Sequence, residues 1–203
     1  MKKMYLVAML LSAVSCLALA ETDWGHDLDR FIAQPGTQVV VHTGKLGETR
    51  EVRLASGVVF SQTREHGKIV TLENDESGHG AVKCLFGTLV VVKSALDTCR
   101  HGQDADLMSQ LDDALERTGD FIVANSLVPT SKEDLRAEID KATAAAKAAQ
   151  SQVSAAQVKA YCESGDGAKM VAWVESILWR ENFKKSLDDT LSVPRPAVTN
   201  PCM

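Results

Sequence analysis

Alternating apolar and polar residues predict a β-sheet in the first half of the chain. From 37 to 96 the sequence is rich in Val, Thr and Gly, and Val52 and Leu54 alternate with polar neighbours, as in a half-buried antiparallel strand. Gly57 and Gly87 interrupt long apolar runs, where we expect bulges or tight bends. With turns at 44–47, 66–67 and 74–80, the pattern predicts a meander or small barrel with strands at 38–42, 51–60, 68–73 and 81–93.

A short helix is predicted ahead of the sheet, over 24–33. Trp24, Leu28 and Phe31 fall at i, i+4 and i+7, which places them on one face of a helix, and Pro35-Gly36 ends it.

Composition changes near residue 104, after which Ala, Leu, Lys, Glu and Asp dominate and helices are favoured. Asp104 is a suitable cap for a helix over 104–127. A second helix is predicted from the Thr130-Ser131 cap to Cys162, and a third over 168–191. We therefore expect an α+β fold, with a β-rich half at 21–103 and a three-helix, Ala-rich half at 104–203.

The second predicted helix carries an apolar seam at alternating spacings of four and three. It consists of Leu135, Ile139, Ala142, Ala146, Ala149, Val153, Ala156 and Ala160. Such a heptad seam favours a helical hairpin or three-helix bundle within one chain, with an intermolecular coiled coil as the alternative.

Two tryptophans stand out in the last predicted helix, which is apolar nearly all round. Trp173 and Trp179 are six residues apart and so lie on different faces. Burial is the default for both, and an exposed tryptophan here would be an anchor for a partner protein. The proline-rich tail from Val193 to Met203 is predicted to be extended and held by Cys202.

The first twenty residues have the pattern of a secretory signal peptide, with Lys2-Lys3, an apolar run and Ala18-Leu19-Ala20 before Glu21. The run is shorter than the ~20 residues that span a bilayer, so we expect cleavage, a periplasmic protein and no transmembrane span in the mature chain. The alternative is a lipoprotein that begins at Cys16.

Charge and cysteine content fit export. The full chain has a net charge of −5, and loss of the two lysines with the leader makes the mature chain more acidic still. An acidic protein is a poor partner for nucleic acid, so we do not expect nucleic acid as a partner. Four cysteines follow the leader, and none belongs to a Cys-x-x-Cys motif. An even number in an exported chain predicts two disulfides, for which we favour Cys84–Cys99 and Cys162–Cys202, one within each half.

Few residues point to catalysis. Ser77 lies between Glu76 and Gly78, and His79 is two residues further along the chain. The carboxylate of Glu76, the hydroxyl of Ser77 and the imidazole of His79 are the first candidates for a hydrolytic site. A polar hairpin loop accounts for the same residues. The five histidines stand singly, and no zinc, calcium, phosphate-loop or dinucleotide spacing occurs, so we expect neither metal nor cofactor.

The sequence thus favours an exported, non-enzymatic binding protein, for example an inhibitor, an immunity-type protein or an envelope assembly factor. Its partner would be another periplasmic or envelope protein. A periplasmic hydrolase is one alternative, and a structural envelope protein that self-associates through the alanine seam is another.

Overall fold

The computed structural model describes residues 24, 26–44, 47–100, 105–178 and 181–202 of the chain. Within them, helix α1 (Asp29–Ile32) precedes four strands, β1 (Gln38–Gly44), β2 (Gly47–Arg53), β3 (Val58–Glu65) and β4 (Lys68–Asp75). The helices that follow are α2 (Val82–Arg100), α3 (Ala105–Asn125), α4 (Lys132–Gln150), α5 (Ala155–Glu163), α6 (Asp166–Leu178) and α7 (Glu181–Leu191). The predicted α+β class is confirmed. The predicted leader at 1–20, Cys16, Asp104 and Trp179 lie outside the described residues.

The sheet is an antiparallel meander in the order β1-β2-β3-β4. His66 and Gly67 join β3 to β4 with φ of 50° and 78°, the positive values that a two-residue hairpin turn requires. The single strand predicted over 51–60 is wrong, because the chain turns between Arg53 and Val58. Gly57, with φ of 86°, lies in this turn, and a Cβ atom there would come within 2.7 Å of the Ser77 Cα atom.

One face of the sheet packs on α1. Val52 and Phe60, which are paired across β2 and β3, are fully buried there, and the Phe31 and Phe60 ring centroids are 5.9 Å apart. Helix α1 is shorter than predicted, but Trp24, Leu28 and Phe31 are all buried, as their shared face indicates.

Beside this apolar cluster the same face holds a polar network. The buried Arg50 guanidinium donates to Gln62 Oε1 from Nε at 3.0 Å and Nη2 at 2.5 Å, and Gln62 donates to the Thr71 hydroxyl at 3.2 Å. The Trp24 ring lies 5.4 Å from the Arg50 guanidinium carbon. Desolvation lowers the pKa of Arg50, and the charge of Asp29 acts in the opposite direction.

The strand predicted over 81–93 is wrong, because this segment belongs to helix α2. Its valines and glycine suggested a strand, yet its buried residues Val82, Leu89, Val92 and Leu96 recur at helical spacing and form one face. Leu89, Val92 and Leu96 pack against α3, α6 and α7 in the largest apolar cluster, and Val82 packs in a smaller cluster with α3, α4 and the tail. Burial of this face outweighs the β-propensity of the individual residues, so the change from sheet to helix comes at 75–82 and not near 104.

The disulfides join Cys84 to Cys202 and Cys99 to Cys162. All four cysteines are thus paired, but both predicted pairings are wrong. Cys84 and Cys99 lie on the same helix, where a rise of ~1.5 Å per residue separates them by about 22 Å. A disulfide needs Cα atoms within ~7 Å, so Cys84 and Cys99 cannot bond to each other. Each observed disulfide links a cysteine of the predicted β-rich half to one of the predicted helical half.

The long helix predicted up to Cys162 is interrupted. Helix α4 ends at Gln150 and α5 begins after Ser154. Ser154 and Gln157 form a capping box, with the Ser154 amide donating to Gln157 Oε1 at 2.8 Å and the Gln157 amide donating to Ser154 Oγ at 3.3 Å. The seam therefore does not run along one helix: Leu135 is buried, whereas Val153, Ala156 and Ala160 are exposed.

The last predicted helix is described as two helices, α6 and α7, on either side of 179–180.

The middle of the C-terminal tail lies in the interior. Residues 195–198 are buried, and Ala197 donates from its amide to Asn125 O at 3.0 Å. Val198 O accepts from the Lys83 amide at 3.0 Å, and Asn200 O accepts from the Asp75 amide at 2.7 Å. The tail thus connects the sheet, α2 and α3, and its cysteine is held at the start of α2.

Candidate functional site

The loop between β4 and α2 holds the three residues that the sequence offered for catalysis. The Ser77 hydroxyl donates to Asp75 Oδ1, the Ser77 amide donates to the same oxygen at 2.9 Å, and Ser77 Oγ accepts from the His79 amide at 3.1 Å. Side chains that bond to backbone amides two residues away are typical of Asx and serine turns. The Ser77 hydroxyl therefore closes this loop.

His79 and Glu76 each bond to a different part of the protein. His79 Nδ1 lies 3.1 Å from Asp189 O and 3.6 Å from Asp189 Oδ1, at the end of α7. A base that activates a serine must lie within hydrogen-bond reach of its hydroxyl. In this loop the hydroxyl bonds to Asp75 and the imidazole bonds to Asp189, so the side chains do not form the chain of contacts that a catalytic triad needs.

Glu76 is exposed and pairs with Arg53, whose Nη1 lies 2.6 Å from Glu76 Oε2, while Asn74 Nδ2 donates to Oε1 at 3.2 Å. The hydrogen bond from Arg53, followed by the one from Asn74, holds the pKa of Glu76 below its usual value. The ionised carboxylate is thereby favoured, and it supports the turn between β2 and β3 at its contact with the loop.

A buried ion pair lies beneath this loop, which sequence reasoning missed. Arg195 Nε donates to Asp75 Oδ2 at 2.7 Å, and both side chains are buried to 1% exposure or less. Arg195 also donates to the backbone oxygens of Thr190, Val193 and Gly80. A buried charge is tolerated when its hydrogen-bonding groups are satisfied, and an arginine between two prolines in a tail gives no sequence signal of burial.

Trp173 is half exposed on α6, with 50% of its surface accessible. Its neighbours on the buried side include Leu85 and Leu89 of α2 and Phe183 of α7, which together line a recess of about 40 Å³. Of the two tryptophans that the sequence offered as possible anchors, Trp173 is therefore partly exposed and not buried as the default expectation had it.

An apolar groove runs between α2, α3 and α4. Its volume is about 570 Å³, and Phe86, Val90, Ile122, Leu135 and Ile139 contribute apolar side chains. Val91, on the α2 side, is 54% exposed. Sequence reasoning missed this groove because it assigned 81–93 to a strand. The helical spacing of Val82, Leu89 and Val92 was the signal that could have revealed it.

A second, more polar cleft of about 320 Å³ lies where α1 meets the end of α3 and the tail. Arg30 donates from Nη2 to the backbone oxygens of Ser126 and of Leu127, the latter at 2.5 Å. These bonds satisfy carbonyls just beyond the C-terminus of α3, where a cation is favoured. Arg30 therefore has a structural role in this cleft.

Within the described residues, no three potential ligands among His, Cys, Asp and Glu are grouped to hold a metal ion. The helices of the same residues include none with an apolar stretch that would cross a bilayer. Comparisons of the chain with protein-family models, curated proteins and solved structures find no match.

Proposed function

We propose that this protein is exported to the periplasm and binds another envelope protein without catalysing a reaction. The observation that carries this proposal is the apolar groove between α2, α3 and α4. Soluble proteins keep large apolar surfaces out of water unless a partner covers them, and this groove lies open in the chain. An inhibitor, an immunity-type protein and an envelope assembly factor would all use such a surface.

Gly87 supports the groove as a contact surface. It lies inside α2, where a glycine is less favourable than alanine by about 1 kcal/mol. A Cβ atom at this position would meet no atom within 4 Å, so packing within the protein does not require the glycine. Its lack of a side chain leaves room for the backbone of a partner to approach α2 closely, one turn before the exposed Val91.

The walls of the groove indicate the chemistry of the partner. The groove is formed by helices α2, α3 and α4. An amphipathic helix that places its apolar face between helices is a common occupant of such a groove. Glu138 lies on the α4 side, whereas Lys83 on the α2 side already pairs with Glu73 at 3.8 Å. A partner helix with a basic residue towards α4 would complement the charge of Glu138.

One further observation supports export, and another supports a basic partner. The disulfides Cys84–Cys202 and Cys99–Cys162 are typical of proteins that fold in an oxidising compartment. The acidic chain, with a net charge of −5, would speed its encounter with a basic partner.

Site-specific photocrosslinking tests the proposal. The full gene is expressed in a Gram-negative host with a photoreactive phenylalanine in place of Val91, or, as the matched control, in place of the exposed Val153. We expect one discrete adduct from the Val91 position and none from Val153. Gly87→Leu should abolish the adduct, because the new side chain fills the groove.

The variant should fold normally, since Gly87 has open space around it. Matching far-UV circular dichroism and Tm values would verify this. Equal adducts from both positions, an adduct that survives Gly87→Leu, or no adduct at all would contradict binding through the groove.

A further inference from the structure

Strand β1 forms an edge of the sheet and is exposed along its whole length. Val39 and Val41 lie on the same face as the buried Val52 and Arg50, with which they pair, and Val40 lies on the opposite face. Their exposed fractions are 44%, 53% and 45%, respectively. Single exposed valines are ordinary, but three in succession on an edge strand present an apolar ribbon to solvent.

The two edge strands of the sheet, β1 and β4, differ in how they are protected from pairing with another chain. On the β4 edge, Asn200 of the tail forms a parallel bridge with Asn74 and accepts from the Asp75 amide. Strand β4 also carries Lys68 and Glu73. Charges and a covering segment are features that keep an edge strand from pairing with another chain.

In the part of the chain that the structure describes, strand β1 has none of these protections. It contains no Lys, Arg, Asp, Glu or Pro, and its pairing with β2 is continuous from Gln38↔Arg53 to Gly44↔Gly47, without a bulge. Among the described residues, no strand or tail segment pairs with its outer edge. The backbone groups on that edge are therefore available to another strand.

We propose that β1 pairs antiparallel with β1 of a second copy, about a two-fold axis at Val40. In this register Val39 faces the partner's Val41, Val40 faces its own copy, and Gln38 faces the partner's His42. Every valine of the strand meets a valine, and His42 faces an uncharged glutamine, so no like charges are opposed. The sequence of the strand is thus complementary to itself, as an isologous interface requires.

The placement of the helices permits this pairing. Residues that face each other across an antiparallel pair project from the same side of the sheet, so both copies would place their α1-covered faces on one side. Because Val39 and Val41 are exposed on that side, the covering elements stop short of β1 and leave space for the partner strand. The product would be a continuous sheet of two meanders.

The dimer is expected to be weak. The edge of one seven-residue strand buries less than the ~1,200 Å² of a stable protein interface. A Kd of about 10 μM to 1 mM is therefore expected. Self-association of this kind does not depend on the groove between α2, α3 and α4 and can hold or fail independently of the proposed function.

Sedimentation equilibrium of the full-gene product, purified from the periplasm, tests the pairing between 10 μM and 1 mM. Val40→Lys places two ammonium groups opposite each other at the axis and should weaken the dimer by at least tenfold. The matched control is Val70→Lys, which introduces the same charge at an exposed position of β4 on the same face of the sheet and should leave the Kd unchanged. A monomer at 1 mM, or equal effects of both variants, would overturn the proposal.

Amide hydrogen exchange of the unaltered protein provides a test that does not depend on how a variant folds. Amides of β1 should become more protected as the concentration rises through the Kd, while those of β4 remain constant. Protection that does not change in β1, or that appears elsewhere as the dimer forms, would equally overturn the proposal.

Discussion

Arg195 and Asp75, 120 positions apart in the chain, form an ion pair with a distance of 2.7 Å between Nε and Oδ2. Asp75 is the last residue of the sheet, and Arg195 lies in the tail beyond the last helix. The same carboxylate accepts from Ser77 through its other oxygen. One buried contact thus connects the sheet, the loop that contains the catalytic candidates and the tail.

Asp75→Asn should destabilise the protein strongly, because it leaves the Arg195 guanidinium buried without a counter-charge. Removal of one partner of a buried pair lowers the free energy of unfolding by about 3–5 kcal/mol. Asp188→Asn is the matched control, since it breaks the exposed pair with Arg117 and should cost less than about 1 kcal/mol. Urea unfolding measures both values, and similar losses would contradict the structural importance of the buried pair.

A non-reduced digest should yield peptides that join Cys84 to Cys202 and Cys99 to Cys162. The chain-entropy model relates stabilisation to loop length, and the sequence separations are 118 and 63 residues. Replacement of the first pair by serine should therefore lower the free energy of unfolding by about 5 kcal/mol, and replacement of the second by about 4 kcal/mol. A peptide that joins Cys84 to Cys99 would refute the helical assignment of α2 as well as the pairing.

Gly57→Ala should be more destabilising than Gly67→Ala. Both glycines have positive φ, 86° and 78°, so each substitution carries a similar backbone strain of about 1 kcal/mol. Only at Gly57 does the new Cβ atom also collide with a neighbour, the Ser77 Cα atom at 2.7 Å, whereas no atom lies within 4 Å at Gly67. Thermal unfolding should show the lower Tm for Gly57→Ala, and equal Tm values would contradict the close approach.

The pKa of Glu76 should lie below its ordinary value in an NMR titration, because Arg53 and Asn74 donate to the carboxylate. A pKa that is lower in the folded than in the unfolded state means that the interaction stabilises the fold above the unfolded pKa. This contribution is lost as the pH falls through the folded pKa.

Arg53→Gln should return the pKa of Glu76 towards its ordinary value and remove this part of the acid sensitivity. Arg117→Gln is the control, because Arg117 pairs with Asp113 and Asp188 on the helices and not with Glu76. An unchanged Glu76 titration in Arg53→Gln would show that the ion pair does not form in solution.

The catalytic candidates show how far local sequence reasoning reaches. Adjacency in the chain correctly placed Glu76, Ser77 and His79 in one polar loop. Their partners, Arg53, Asp75 and Asp189, come from the sheet and from α7. No spacing within the loop could reveal which way the imidazole turns, since the orientation depends on a helix 110 residues further along the chain.

The sequence by itself determined the features that depend on local patterns: the α+β class, strands β1 and β4, the turn at 66–67, helix α3, and the shared face of Trp24, Leu28 and Phe31. These follow from periodicity and turn chemistry within a few residues. Only the tertiary structure decided that 82–100 is a helix, how the cysteines pair, and that the tail enters the core. Each of these depends on contacts between distant segments: burial against α3, α6 and α7 overrides the strand propensity of α2, and that helix then separates Cys84 from Cys99.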